Sequence, residues 1–259
     1  MIEVKNLTFS YGSREVLHGI SFSASSGELL SILGANGVGK STLFKCMLGL
    51  LPGYTGQILV DGRDTRTLSV KELARLIAYI PQMSSTAFNY SVEDIVLMGT
   101  TANLGTFRTP GAEEMRRVDA ALERVGISKL RDRSFQHISG GERQLAVIAR
   151  ALAQRANILM LDEPTSALDF GNQMRVLETA KELAREGYTV IQTTHDPERA
   201  YMFSDSVIAL KDGEILSKGV PSEVLTQENI ALMYGTAVEM TSLHDDKVRM
   251  FMPKTAVKE

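Results

Sequence analysis

Apolar positions along the chain follow two rhythms. Apolar and polar residues alternate, with many β-branched side chains, in IEVKNLTF (2–9), VLHGISFSA (16–24) and GQILVDG (56–62), which predicts half-buried strands. GELLSILG (27–34), IAYIP (77–81), NILMLDE (157–163) and YTVIQTTH (188–195) are closer to continuous apolar runs, the pattern of strands buried on both faces. Helical spacing predicts helices from Gly39 to about Leu50, at 72–77, 91–98, 113–125, 140–154 and near 172–186, and two short ones within 221–234. The Gly/Thr-rich stretch 99–111 reads as a joining loop. VIALKDGEILSKG (207–219) predicts a hairpin turning at Asp212-Gly213, and AVEMTSLHDDKVRMFMP (237–253) another around His244–Asp246. Buried strands alternating with helices predict an α/β fold with a mainly parallel central sheet. The early strands add an antiparallel β layer, and the middle helices an α-helical lobe.

Length and composition narrow the classes. At 259 residues the chain suits one large domain, or one domain with a small lobe. Charged residues are 23% and the net charge is -3, so no global basic signature points to nucleic acid. The single cysteine, Cys46, excludes an internal disulfide, fits a reducing compartment, and in LFKCMLGLL reads as a small core residue. The N-terminus has no basic start before an apolar run, so no signal peptide is expected. No window carries 18 uninterrupted apolar residues, so a membrane role would need a partner to provide the span.

The strongest chemical motif is Gly34-Ala35-Asn36-Gly37-Val38-Gly39-Lys40-Ser41, followed by Thr42. It fits the phosphate-binding loop pattern, with a strand before it and a helix after it. Glycines let backbone N–H groups wrap phosphates, Lys40 brings positive charge to the β/γ oxygens, and Ser41 offers a hydroxyl to Mg²⁺. In ILMLDE a buried strand ends in two carboxylates, at the sheet edge where open α/β sheets bind ligands. Asp162 suits Mg²⁺, directly or through water. Glu163, on the opposite face by the two-residue period of a strand, could orient or deprotonate water. His195 ends VIQTTH at the same edge, and Gln82 follows AYIP in the same way, its amide oxygen able to reach Mg²⁺ or water.

A second glycine turn, Ser139-Gly140-Gly141, opens the 140–154 helix, whose Leu145, Ile148, Ala149 and Leu152 share one core-facing side. Amides at a helix start next to glycines make an anion site. Since Gly34–Ser41 already serves one nucleotide, the economical reading is that this turn grips the nucleotide of another copy, in a two-fold dimer with two ATPs sandwiched between chains.

From residue 2 to at least 234 the chain resembles the ATPase subunit of an ATP-binding cassette (ABC) transporter. In that resemblance Gly34–Ser41 is the Walker A loop, Ile158–Asp162 the Walker B strand, and Glu163 the catalytic glutamate. ISGGE (138–142), ending in Glu142, is the signature, although the family more often has Leu first and often Gln last. Gln82 is the Q-loop glutamine, SALD (166–169), with Asp169, the D-loop, and His195 the switch histidine. Tyr11 is the aromatic that stacks on adenine, for which a flat ring is suited. FNYSVEDIVLMG (88–99), LDFGNQ (168–173) and MYGTAVEM (233–240) resemble the importers of metal chelates, a group handling iron–siderophores, haem and cobalamin.

The resemblance implies a P-loop NTPase core over 1–234, with a helical lobe at about 85–155, and a C-terminal hairpin extension at 235–259. It implies ATP and Mg²⁺ as cofactors. As partners it implies a second copy, integral membrane permease subunits and, indirectly, a substrate-binding protein, with no nucleic acid. The location implied is peripheral, at the cytoplasmic face of the cell membrane. The permease's docking segment would be Gln82 to Thr109, with Glu93 and Asp94 as surface charges. The competing expectation is a soluble ABC ATPase, for example in iron–sulfur assembly. DNA-repair relatives insert a long coiled coil and ribosome-acting relatives usually carry two cassettes, and this chain has neither. A nucleotide kinase would leave the signature unexplained.

Overall fold

The computed structural model describes residues 1–82, 89–104 and 109–256. Its N-terminal strands β1 (Ile2–Tyr11) and β2 (Arg14–Ala24) form an antiparallel hairpin. After β3 (Leu29–Leu33) and α1 (Lys40–Met47), the chain adds β4 (Thr55–Val60) and the two-residue β5 (Arg63–Asp64) to this layer, in the order β2-β1-β4-β5. Then come α2 (Val70–Leu76), β6 (Ile77–Ile80), α3 (Val92–Leu97), α4 (Ala112–Arg124) and α5 (Gly140–Ala153). β7 (Ile158–Asp162), α6 (Phe170–Arg185), β8 (Thr189–Thr194), α7 (Pro197–Phe203) and the hairpin β9 (Ser206–Lys211) and β10 (Glu214–Gly219) follow. The chain ends with α8 (Pro221–Val224), α9 (Gln227–Tyr234) and a separate hairpin of β11 (Val238–Leu243) and β12 (Val248–Pro253).

The central sheet has the order β10-β9-β3-β8-β7-β6, parallel throughout except for β10. Alternate residues of its buried strands feed two cores. Leu30, Ile32, Ile158, Met160 and Ile191 pack with α1 and the antiparallel layer. Leu29, Leu159, Leu161 and Val190 pack with α3, α4, α5 and α6 on the other face. The phosphate-loop helix and the helix behind Ser139-Gly140-Gly141 therefore lie on opposite sides of one sheet. A third cluster holds α7, α8, α9 and the start of β11 against the β9 side. Cys46 lies wholly in the core, where burial pushes its thiol up to about 11, an inert cysteine as the sequence predicts.

The elements follow the sequence reading with physical exceptions. α1 stops at Met47, because Gly49 takes a left-handed conformation (φ +68°). Residues 99–103, expected as loop, belong to a 3₁₀ turn, Met98–Asn103, against α5, while 105–108 lie outside the described residues. α7 was not expected, although Asp196 caps it and Pro197 holds its first position, a standard helix start. Both hairpin turns fall where predicted, with Asp212 and Gly213, and then His244, Asp245 and Asp246, at positive φ.

Candidate functional site

β3 leads into residues 34–39 before α1, and this loop is shaped by what its glycines cannot carry. A Cβ on Gly34 would lie 2.6 Å from the Leu210 carbonyl oxygen. Gly37 and Gly39 take φ +85° and +109°, where other residues are strained. Gly37 faces open space, and Gly39 backs onto Val16 and Leu17 of β2. The result is a cavity of about 150 Å³ lined by Gly37, Gly39, Lys40, Ser41, Thr42 and Glu163, with Val16 and Asn36. A second hollow of about 250 Å³ shares Val16, Asn36 and Gly37 and continues toward Arg14 and Asp212. All residues of the predicted loop except Gly34, Ala35 and Val38 thus meet in the first cavity, and Val38 lines the second.

Lys40 is only 5% exposed. Its ammonium donates to the Gly34 and Ala35 carbonyls at 2.8 and 3.2 Å and lies 3.4 Å from Glu163 Oε1. Burial lowers the Lys40 pKa, and the Glu163 and Asp162 carboxylates oppose that fall. Glu163 Oε2 in turn lies 3.3 Å from His195 Nδ1. Three strand ends thereby meet: Lys40 after β3, Glu163 after β7 and His195 after β8.

The direction of Glu163 corrects the two-residue alternation expected from the sequence. β7 ends at Asp162, and Glu163 adopts a left-handed backbone (φ +45°). Its N–H donates to Thr193 Oγ1 at 2.9 Å. That turn, not the pleat of the strand, sends its carboxylate to Lys40 and His195.

Asp162 is fixed by two neutral donors. Thr193 Oγ1 donates to Oδ1 at 2.6 Å and the Tyr79 hydroxyl to Oδ2 at 3.2 Å. Hydroxyl donors hold the carboxylate without neutralising it, which leaves lone pairs and charge for a cation. Among the described residues no group of three or more His, Cys, Asp or Glu could hold a metal alone. The Asp162 carboxylate and the Ser41 hydroxyl of the loop are oxygen donors that suit Mg²⁺ shared with phosphates, and in their chemistry the residues present fit that ion. Gln82 Nε2 donates to Ser166 Oγ at 3.1 Å, and Ser166 Oγ donates to the Glu163 carbonyl at 3.0 Å. The Gln82 side chain is thus tied to the loop after β7.

Tyr11 stands 47% exposed at the end of β1, its ring meeting the edge of Phe9 at 4.9 Å. It lines neither hollow, although its cross-strand partner Arg14 lines the second. Tyr79, Thr193 and Val16 were missed by sequence reasoning. A lone hydroxyl in IAYIP and the TT before His195 were the available signals, and Val16 gave none.

Around Ser139 the structure revises the sequence reading. Ser139 caps α5: its Oγ accepts from the Glu142 N–H at 3.3 Å, and Glu142 Oε2 accepts from the Ser139 N–H at 2.7 Å. These bonds hold the Glu142 carboxyl below the usual range. Glu142 therefore serves its own helix, and the amides left to meet an anion are those of Gly140 and Gly141. Gly141 is a glycine for an internal reason, since a Cβ there would lie 2.1 Å from Asn172 Oδ1. Asn172 is held in turn by Asp169, which accepts from its N–H at 2.9 Å and from its Nδ2 at 2.8 Å. Asp169 thus caps α6 and links it to the start of α5.

The stretch expected to meet a permease falls partly on 83–88 and 105–108, outside the described residues. Glu93 and Asp94, expected as surface charges, are engaged within the fold. Asp94 closes a capping box with Ser91, and Glu93 pairs with Arg131. Of the same stretch, Met98 and Gly99 line an apolar groove with Leu50, Val70, Leu73, Tyr79 and Arg150. Val70 is 85% exposed and Leu50 61%. No helix of the described residues is long and apolar enough to cross a membrane.

Residues 17–166 match the family described as ABC transporter. An uncharacterized ABC transporter ATP-binding protein of Haemophilus influenzae is 40% identical, covering 94% of this chain and 93% of its own length. A hemin import ATP-binding protein of Jannaschia sp. is 38% identical, covering 99% and 95%. Among solved structures, a metal-chelate type ABC transporter in an inward-facing conformation is 33% identical, covers 99% of each chain and superposes with a TM-score of 0.86.

The contact of Gly141 with Asn172 yields an expected outcome. Gly141→Ala should cost about 1–3 kcal/mol of stability through overpacking, read as a lower thermal midpoint. Adding Asn172→Gly should recover part of that loss, so that the double variant is less destabilised than the two singles summed. Strict additivity would contradict the contact.

Proposed function

The chain belongs to the ABC transporter family, and on that footing we propose that it is the ATP-hydrolysing subunit of an importer of metal chelates, seated on the cytoplasmic face of a membrane beneath a separate permease. That ATP is bound and hydrolysed follows from the family. The chelate class, with iron–siderophores, haem and cobalamin as its members, is supported by the hemin importer and the metal-chelate transporter that the chain matches over almost its whole length.

One observation carries the mechanism: Glu163 stands between the Lys40 ammonium and the His195 imidazole. Amides of residues 35–42 and the Lys40 ammonium take the phosphates, and the exposed face of Tyr11 takes the adenine. Ser41, Asp162 and the Gln82 amide oxygen are the groups that would hold Mg²⁺, and when bound that ion would supply charge neutralisation for the phosphates. As the phosphates draw Lys40 away, the Glu163 carboxylate is freed to accept a proton from water, and His195 keeps it oriented. Gly140 and Gly141, with Ser139, face the nucleotide of a second copy, because α5 lies across the sheet from α1. Asp169 reaches that interface through Asn172.

The permease is assigned to the groove at Leu50, Val70 and Met98. Its wall residue Tyr79 donates to Asp162, so a segment seated there touches the cation-binding strand through one side chain. A substrate-binding protein on the far side would deliver the chelate to the permease.

Glu163→Gln should keep ATP affinity but lower turnover by about 10²–10⁴-fold, the usual contribution of a general base. Turnover assays beside equilibrium nucleotide binding check this, and wild-type turnover would remove Glu163 from the role.

Val70→Glu tests the transport assignment. It places a charge at the most exposed apolar position of the groove and suits the first turn of α2. ATPase activity of the isolated subunit should stay near wild type, while uptake of labelled haem or iron chelate by cells should fall at least tenfold. If cells lacking the chain take up iron chelates, haem and cobalamin normally but lose iron–sulfur enzyme activity, the importer reading fails.

A further inference from the structure

Far from the nucleotide loop, a cavity of about 300 Å³ opens where α4 meets the ends of α5 and α6. One side of it is a stripe of α4 that carries Arg116, Arg117 and Arg124 at helical spacing, and Arg155 closes it from the end of α5. Only two carboxylates, Glu113 and Glu186, share the lining. They do not satisfy the arginines. Arg117 pairs with Glu113, from which Arg155 Nη1 also lies 4.0 Å, and Arg124 lies 2.5 Å from Glu186 and 3.3 Å from Glu182, yet the Arg117 and Arg124 guanidiniums each bury an Nε–H that meets no acceptor. Arg116 makes no ion pair among the described residues. Arg155 holds a left-handed backbone (φ +60°), a place where glycine is the unstrained choice.

The rest of the cavity is apolar. Between Arg117 and Arg124 the helix shows only the methyls of Ala120 and Ala121, and Leu152, Leu183 and Tyr188 face them. Seven residues separate Arg117 from Arg124, about 10 Å along the helix axis. The volume lies at the lower end of small-molecule sites, which run from about 300 Å³ upward. Guanidinium groups match planar carboxylates in particular.

We propose that this cavity binds a small elongated dicarboxylate with an apolar spine, and that its occupant ties α4 to α6 and slows ATP turnover. The elements lining the cavity run from it to the nucleotide residues. α5 begins at Gly140, α6 is capped by Asp169, and β8 leads from Tyr188 to His195. A ligand bridging α4 to the far ends of these elements resists any movement of the helical lobe that bringing Ser139-Gly140-Gly141 to a nucleotide requires. Binding at this cavity does not rest on the transport reading.

The probe is biphenyl-4,4′-dicarboxylate, titrated calorimetrically into the protein saturated with ADP so that the nucleotide loop is filled. Saturable binding is expected, with the monoacid biphenyl-4-carboxylate at least tenfold weaker. Ala120→Glu puts a carboxylate on an exposed helical position in the middle of the site and should weaken binding at least tenfold. Arg155→Gly should do the same while keeping or raising the thermal midpoint, since glycine relieves the left-handed backbone. Both variants should hydrolyse ATP like wild type without the probe. With it, wild-type turnover should fall at least twofold and that of Ala120→Glu should not change. No saturable binding, equal affinity in the variants, or unchanged turnover with the site filled would each overturn the proposal.

Discussion

Ser31 and Gln192 face each other in the middle of the central sheet, and the registration of β3 with β8 is pinned there. Gln192 Nε2 donates to Ser31 Oγ at 2.8 Å, and Ser31 Oγ lies 2.6 Å from Ser204 Oγ. Buried polar groups are costly without partners, Gln192 Oε1 already has none among the described residues, and a slip of one residue would remove the bond that Nε2 makes and reverse every side chain of the strand. In the register they hold, Leu33 lies opposite Thr194 and Thr193 opposite Asp162. The Gly34 N–H then reaches the Thr194 carbonyl at 3.3 Å. The phosphate loop, the two acids and His195 arrive at one edge because three parallel strands end level.

At that edge the largest local cost is the burial of the Lys40 ammonium. Two loop carbonyls and the Glu163 carboxylate offset it. The group that neutralises Lys40 is, on the proposed reading, also the base that must be released for hydrolysis. Tyr234 steadies the remaining member from the C-terminal region, its hydroxyl donating to the His195 carbonyl at 2.8 Å. The end of α9 thus reaches the edge where His195 stands.

Sequence pattern made the fold legible wherever the interaction was local or periodic. The apolar runs of β3, β7 and β8, the glycine loop and the Asp212-Gly213 turn all stand where their residues put them. What escaped depended on tertiary contacts or on a single dihedral. Glu163 aims through a left-handed turn that no periodicity encodes. Gly141 resembled a residue cleared for a ligand, yet Asn172, thirty-one positions away, fills the space beside it. Glu93 and Asp94 read as surface charge until Arg131 and Ser91 supplied their partners. Tyr79 passed for core until its hydroxyl met Asp162.

The sheet also divides the nucleotide machinery: α1 and the phosphate loop on one face, α5 with Ser139-Gly140-Gly141 on the other. On the proposed reading a complete site requires two chains, and a mixture of two damaged chains tests this directly. Lys40→Ala breaks the loop, and Ser139→Arg fills the anion turn with a bulky cation. Neither protein should pair in ATP alone. A verified heterodimer of the two contains one composite site with both lesions and one with none. The account predicts that ATP-dependent pairing, read by light scattering, returns in the mixture. If each chain applied its own turn to its own nucleotide, both sites would stay broken and no pairing would return, which would contradict the shared site.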